Sequence, residues 1–244
     1  MPENSPDRAG GHPAFYDLTP VVRVPAGLVV LVGPPASGKT SFVRALVERR
    51  QIDAEAVVSS DEIRADLFGA PGEPASAAPD SDRADSDAAD SDAADARIFE
   101  ERDRRIVARL AAGRSVIAES TNVTPQARAR LIAIARRFDA PVTMLRFDPH
   151  VTDLLRQYTE RGRADMTAAD VRSYAAVMNR DAGADRLRSE GADAVHEVPG
   201  RRQAITPAEA AARFSFDRLP AGVRRWPAPS PGATGMGTGD LTDH

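Results

Sequence analysis

Short apolar runs and helical stripes alternate along the chain. Leu28–Val32 (LVVLV) is a continuous apolar run ending at Gly33, the pattern of a strand buried on both faces that feeds a turn. From Thr40 to about Arg50, the residues Phe42, Val43, Leu46 and Val47 recur at helical spacing. Residues 56–60 (AVVSS) predict a second strand and 61–68 a short helix. An arginine-rich amphipathic helix over 97–112, a third strand over 115–118, a long helix over 125–138 and a fourth strand over 141–147 follow. Helices over Val151–Arg161 and 168–178 flank a basic turn, and 194–198 reads as the last strand. Residues 21–24 add a short lead-in strand. Strands alternating with helices predict an α/β fold with a mainly parallel sheet and helices on both faces. Crossovers should be right-handed. Any site should lie where the C-terminal ends of the strands meet helix N-termini.

Three stretches break the pattern. Residues 1–19 are rich in Pro, Gly and polar residues and read as a disordered arm, and 227–244 as a disordered tail. Residues 70–95 contain no aliphatic side chain larger than alanine, so burial cannot offset the entropy of ordering them, and they read as a disordered acidic insertion. The domain is therefore expected over 20–200, followed by an extension over 201–226 that includes Trp226. The DSD repeats of the insertion lack the glycine and distal glutamate of a calcium loop.

Charge is uneven. The net charge of −4 hides a segment, 71–95, with eight acids against Arg83 alone, a net of −7 that leaves the rest of the chain at +3. A mildly basic body does not disfavour an anionic substrate. There is no cysteine, which excludes disulfides, thiol nucleophiles and thiolate metal sites. No apolar run approaches the ~20 residues of a membrane helix, and the N-terminus lacks the charged and apolar regions of a signal peptide. A cytoplasmic protein with no membrane partner is expected. Of 32 basic residues, Lys39 is the only lysine. A compact ammonium on a flexible stem fits between phosphate oxygens where a planar guanidinium does not.

That lysine lies in Gly33-Pro34-Pro35-Ala36-Ser37-Gly38-Lys39-Thr40, followed by Ser41, between the first long strand and its helix. This is the phosphate-binding loop in its required context. Its glycines let backbone N–H groups curl around phosphate, and the helix N-terminus adds partial positive charge. Lys39 is expected on the β and γ phosphates of ATP, and the Thr40 hydroxyl on Mg²⁺.

Two further constellations sit at strand ends. Asp61 follows the second strand, and Arg64, three residues on, shares its helix face. A carboxylate there can take the proton of an attacking hydroxyl, and the arginine can clamp a phosphate. Ser59 and Glu62 also have capping-box spacing. Glu119, Thr121 and Asn122 follow the third strand, where Glu119 can orient Arg64 or support a metal, and Thr121 and Asn122 can start a loop or cap. Arg156, Arg161 and Arg163 around the basic turn are either charge stabilisers for a transferring phosphoryl group or a solvated face. The four histidines have no ligand spacing.

Together VVLVGPPASGKTSF, VVSSDEIR, LAAGRSVIAESTN, LLRQYTERGR and LRSEGADAVHEV resemble the kinase domain of bacterial polynucleotide kinase-phosphatases. More broadly they resemble the phage-type polynucleotide 5′-kinase and zeta-toxin-like branch of P-loop kinases. The resemblance spans about residues 21–199. The order of its motifs is far more specific than the phosphate loop alone. It implies that Asp61 is the general base, Arg64 binds the acceptor-side phosphate, and Arg161 and Arg163 are lid arginines on the ATP phosphates. Glu119 stands where that family usually has aspartate. The implied reaction moves the γ-phosphate of ATP to the 5′-hydroxyl of a polynucleotide, without the phosphatase or ligase activities of multifunctional members. A small-metabolite or nucleotide-sugar acceptor and a nucleotide-binding ATPase or switch remain the other readings.

Overall fold

The computed structural model describes residues 21–69, 84–161, 167–218 and Trp226. The expected arm, the expected tail, residues 70–83 and Arg163 lie outside them. Fifteen regular elements run along the described chain: β1 (Val22–Val24), β2 (Leu28–Val32), α1 (Lys39–Glu48), β3 (Val57–Ser59), α2 (Ser60–Phe68), α3 (Ala84–Ala111), β4 (Val116–Glu119), α4 (Pro125–Arg136), β5 (Val142–Arg146), α5 (Val151–Arg161), α6 (Ala168–Asp181), α7 (Ala184–Ser189), β6 (Ala194–Glu197), α8 (Pro207–Ala212) and β7 (Phe214–Phe216).

The main sheet has the order β3-β4-β2-β5-β6, and every pairing in it is parallel. The phosphate-loop strand β2 is central, with Leu28 between Val116 of β4 and Val142 of β5. Alternation along β2 explains its uninterrupted apolar run. Leu28, Val30 and Val32 enter one buried cluster with residues of α3 and α4, including Ile106, Leu110 and Leu131. Val29 and Leu31 enter a second cluster with Phe42 and Leu46 of α1. Helices therefore cover both faces, as the strand–helix alternation predicts.

Residues 201–218, for which the sequence suggests no structure, pack on the body. Ala210 and Ala211 of α8 and Phe214 of β7 join the second cluster, where the Phe42 ring meets those of Phe147 and Phe214 edge to face at 5.4 and 5.5 Å. β7 pairs in parallel with β1 as a separate two-stranded sheet. Trp226 packs against the first cluster.

The disorder expected over 70–95 is corrected at its C-terminal end, because residues 84–95 form the first turns of the 28-residue helix α3. Alanine is the strongest helix former and acids favour a helix N-terminus. Once Ile98, Ile106 and Leu110 anchor the rest of the helix in the core, extension needs no further apolar contact. The capping box expected at Ser59 is also corrected: Ser59 is the N-cap of α2 but makes no side-chain capping bond, and it is buried. Capping boxes do close α6, through Thr167 and Asp170, and α8, through Thr206 and Glu209. Among the described residues no helix is long and apolar enough to cross a membrane.

A fully buried arginine ties the layers together. Arg128 of α4 donates to both carboxylate oxygens of Glu190 (2.7 and 2.8 Å) and to the carbonyls of Asn122 (3.0 Å), Val123 (2.7 Å) and Asp181 (2.6 Å). Burial pushes the Glu190 carboxyl up, but the bonds and charges of Arg128 and Arg186 together outweigh it and hold it below the usual carboxylate range. Its contribution to stability is thus present above the unfolded-state pKa and is lost as pH falls through the lowered one. Arg128→Met is expected to cost about 3–5 kcal/mol, because it leaves Glu190 with only the more exposed Arg186 and strands three carbonyls. The check is a lower urea midpoint at unchanged slope. Glu190→Gln, which keeps the carbonyl bonds, should cost less.

Candidate functional site

The site is built where β2 ends. Gly33 donates its N–H to the Thr121 carbonyl (2.9 Å), which ties the loop to the segment after β4. A Cβ on Gly33 would lie 2.8 Å from Phe147 Cβ and 2.9 Å from Ser37 Oγ, so close approach requires the glycine. At Gly38 a Cβ would meet nothing within 4 Å, but φ is 95°, so the requirement is conformational. Ala36 also turns left-handed, with φ of 61°. Alternating right- and left-handed residues curl backbone N–H groups into an anion-binding concavity, and the N-terminus of α1 opens onto it. The Lys39 ammonium is buried and bends back over the loop, donating to the carbonyls of Gly33 (2.8 Å) and Pro34 (2.7 Å) and to Ser37 Oγ (3.3 Å).

Thr40 and Glu119 meet directly. β4 lies next to β2, which brings its last residue beside the start of α1. Thr40 Oγ1 donates to Glu119 Oε1 at 2.5 Å. Burial pushes the Glu119 carboxyl above the usual range, and the Asp61 and Glu62 carboxylates add to this; the Thr40 bond and the Lys39 charge pull the other way. That mutual influence gathers Lys39, Thr40, Asp61 and Glu119 into one electrostatic neighbourhood. A hydroxyl and a carboxylate are hard oxygen donors of the kind Mg²⁺ takes. Among the described residues no cluster of three His, Asp or Glu side chains could hold a metal alone, so a cation here would need phosphate or water oxygens as well.

The other expected residues fall into two groups. Asp61 and Arg64 are exposed on α2, beside this centre. Arg64 pairs with Asp95 of α3, whereas Glu119 bonds Thr40. Asn122 is buried, with φ of 46°, and donates to the Leu31 carbonyl (2.9 Å), so it braces the strand ends. Its Oδ1 and the Ser60 Oγ are buried without a hydrogen-bond partner among the described residues. Arg156 is engaged by Asp153 (3.0 Å) and Glu160 (4.0 Å) of its own helix, a solvated-face arrangement. Arg161 closes α5; its side chain, like Arg163, lies outside the described part. The hairpin of α5 and α6 carries a small core of Leu154, Val171 and Ala175 that packs against Ala36 of the phosphate loop.

One wall went unread in the sequence. Beside Ser37, Gly38 and Ser41 opens a cleft of about 450 Å³ bounded by the segment after β5 (Arg146, Asp148), the segment after β6 (Glu197, Gly200, Gln203) and α5 (Gln157, Glu160). Arg146 is fixed there by Asp148 (3.1 Å), Glu197 (2.9 Å) and the Ala182 carbonyl (2.7 Å). Gln157, Glu160 and Glu197 lie in segments that carry the resemblance; Arg146, Asp148, Gly200 and Gln203 lie in no motif. The only available signal was their position after strands on the site edge of a parallel sheet.

A central β2 opening into this loop, with a carboxylate from the adjacent strand on the Thr40 hydroxyl, defines a nucleotide-binding P-loop domain of kinase-like fold. The chain belongs to the AAA_33 family, an AAA domain, whose profile matches residues 28–181. No curated protein sequence matches the chain. Among solved structures, a candidate kinase from Chloroflexus aurantiacus shares the fold at 19% identity and a TM-score of 0.50, over 80% of this chain and 93% of that one. A chain of the Pnkp1/Rnl/Hen1 RNA repair complex aligns at 19% identity and a TM-score of 0.48, over 72% of this chain. This chain covers 47% of that one, less than half of its length. Shikimate kinase from Acinetobacter baumannii aligns at 14% identity and a TM-score of 0.45, over 77% of this chain and 90% of that one.

Gly33→Ala should weaken nucleotide binding about tenfold or more, equivalent to about 1.4 kcal/mol, because the loop must shift off Phe147. Gly38→Ala should instead cost about 1–2 kcal/mol of backbone strain; calorimetric titration and thermal unfolding of both variants separate the effects. The raised Glu119 carboxyl means that the folded state holds its proton more tightly than the unfolded state. Stability of the nucleotide-free protein should therefore decline as pH rises from the ordinary carboxylate value through the raised one. Glu119→Gln should flatten that decline in thermal unfolding measured across the same pH series.

Proposed function

We propose that this protein is an ATP-dependent phosphotransferase that moves the γ-phosphate of ATP to a hydroxyl acceptor, the 5′-hydroxyl of a polynucleotide. The observation that carries the reading is the Thr40–Glu119 bond with Lys39 and Asp61 in the same electrostatic neighbourhood. The motif order around it, with Asp61 and Arg64 on α2, supports the choice of acceptor.

In this reading the phosphates lie in the loop 33–41, with Lys39 leaving the Gly33 and Pro34 carbonyls for the β and γ oxygens. The nucleoside occupies the cleft beside Ser37 and Gly38. Thr40 and Glu119 would hold Mg²⁺, which supplies charge neutralisation on the phosphates when bound. Glu119 must be ionised for this, so protonation of its buried carboxyl would oppose metal binding. Asp61 accepts the proton of the acceptor hydroxyl while that oxygen forms its bond to the γ-phosphorus and the bond to the β–γ bridging oxygen breaks. Arg64 clamps the acceptor phosphate. Thr121 and Asn122 hold the strand ends in place, and Arg161 and Arg163 close over the transferring group.

One observation favours a second reading, a small-molecule hydroxyl acceptor: Arg64 is already paired with a carboxylate from an acidic helix. Transfer of labelled γ-phosphate to a 5′-hydroxyl oligonucleotide, with a metabolite panel in parallel, decides between them. Asp61→Asn should leave ATP affinity unchanged and cut transfer by about 10²–10⁴-fold. Undiminished transfer would remove Asp61 from the base role.

A further inference from the structure

Arg64 is the one cation of α2, and its guanidinium is engaged by a carboxylate from a different helix. Asp95 lies one turn before Ile98, which is buried in the core. Two other contacts hold α3 alongside α2. Arg105 pairs with Asp66 (2.9 Å) while also bonded to Glu101 (2.7 Å), and the Arg97 guanidinium lies 5.0 Å from the centre of the Phe68 ring. Asp95 is therefore held against Arg64 by packing further along both helices. The pair itself is half exposed, at 49% for Arg64 and 46% for Asp95, so an incoming anion can reach it.

We infer that Asp95 is a specificity-determining residue: its carboxylate takes the place on the Arg64 guanidinium that an acceptor phosphate would take. The inference rests on the proposed acceptor role of Arg64. A carboxylate and a phosphate present similar pairs of oxygens to a guanidinium fork. An acceptor whose reactive hydroxyl neighbours a phosphate must displace Asp95, whereas an acceptor without a phosphate need not. Asp92, exposed one turn earlier on the same side of α3, adds a second negative charge to the approach. The enzyme thereby discriminates against weakly held phosphodiester acceptors and leaves the transfer step itself untouched.

The test uses full-length wild type, Asp95→Asn, Asp95→Glu, Arg64→Ala and the Asp95→Asn/Arg64→Ala pair. The first readout is the dissociation constant of a 3′-fluorescein 5′-hydroxyl oligonucleotide, with the acceptor KM and kcat alongside. An exposed ion pair is worth little, so Asp95→Asn should tighten oligonucleotide binding and lower KM by about two- to fivefold, with kcat and ATP affinity unchanged. Asp95→Glu should restore wild-type values, the gain should vanish in the Arg64→Ala background, and added salt should shrink it. An equal gain without Arg64 would mean diffuse repulsion and would overturn the inference, as would no gain in an oligonucleotide-binding protein. The second readout needs no acceptor: phenylglyoxal modification of Arg64, followed by peptide mass spectrometry, with inorganic phosphate as protectant. Asp95→Asn should speed modification and allow protection at lower phosphate. Unchanged rates and protection would overturn the inference whatever the acceptor is. A positive second readout with no oligonucleotide binding or labelling would uphold the Arg64–Asp95 competition and sink the polynucleotide reading instead.

Discussion

A positive charge sealed in the protein interior governs the geometry of this domain. The Arg128 guanidinium has no access to water, so it must be satisfied by protein groups, and the groups it recruits come from three places in the chain. Two are the carbonyls of Asn122 and Val123, just past β4. One is the last carbonyl of α6, and the fourth partner is Glu190 at the turn into β6. Because the Asn122 segment is pinned, the Thr121 carbonyl stands where Gly33 can donate to it. The phosphate loop and the Glu119 carboxylate are thus positioned by an ion pair on the far side of the strand they flank.

The same economy of placement explains the electrostatics of the centre. Glu119 is buried by the packing that makes it useful, and burial alone disfavours its charge. Lys39 and the Thr40 hydroxyl offset part of that cost within the protein, and a divalent cation would offset the rest. On the proposed function, a site with these signs would hold a metal–phosphate complex more firmly than either component separately. It also accounts for the chain keeping one lysine among its many arginines, since Lys39 is folded into a space bounded by carbonyls on two sides.

The sheet and the phosphate loop were legible because their signals are local: a five-residue apolar run, glycines at fixed offsets, and a helical stripe expected from Thr40 onward. Position at strand ends, and then the family resemblance, singled out Asp61, Arg64 and Glu119 as candidates. What escaped were features fixed by partners distant in sequence. Nothing around Glu119 indicates a bond to Thr40, because that contact exists only once β4 lies beside β2. Residues 84–95 lack the apolar side chains that announce a packed element, and they are helical because the packed half of α3 nucleates them. Ser59 has the spacing of a cap, yet strand burial takes its side chain elsewhere. The cleft wall after β5 and β6 joins segments about fifty residues apart (Arg146 and Glu197), a juxtaposition no window along the chain contains.

The pairing of β1 with β7 bears on how the molecule comes into being. Val22 faces Phe214 across that two-stranded sheet, and Phe214 with α8 forms the outer cover of α1. On a ribosome, the strand that starts the body waits for almost the whole domain to be made before its partner emerges. Until then the part of Phe42 and its helix that Phe214 and α8 cover stands open to water and to other chains. The nucleotide-binding end of the protein is encoded early and finished last, so a ribosome that stalls before residue 214 releases a loop with the right sequence on a helix that lacks its outer cover.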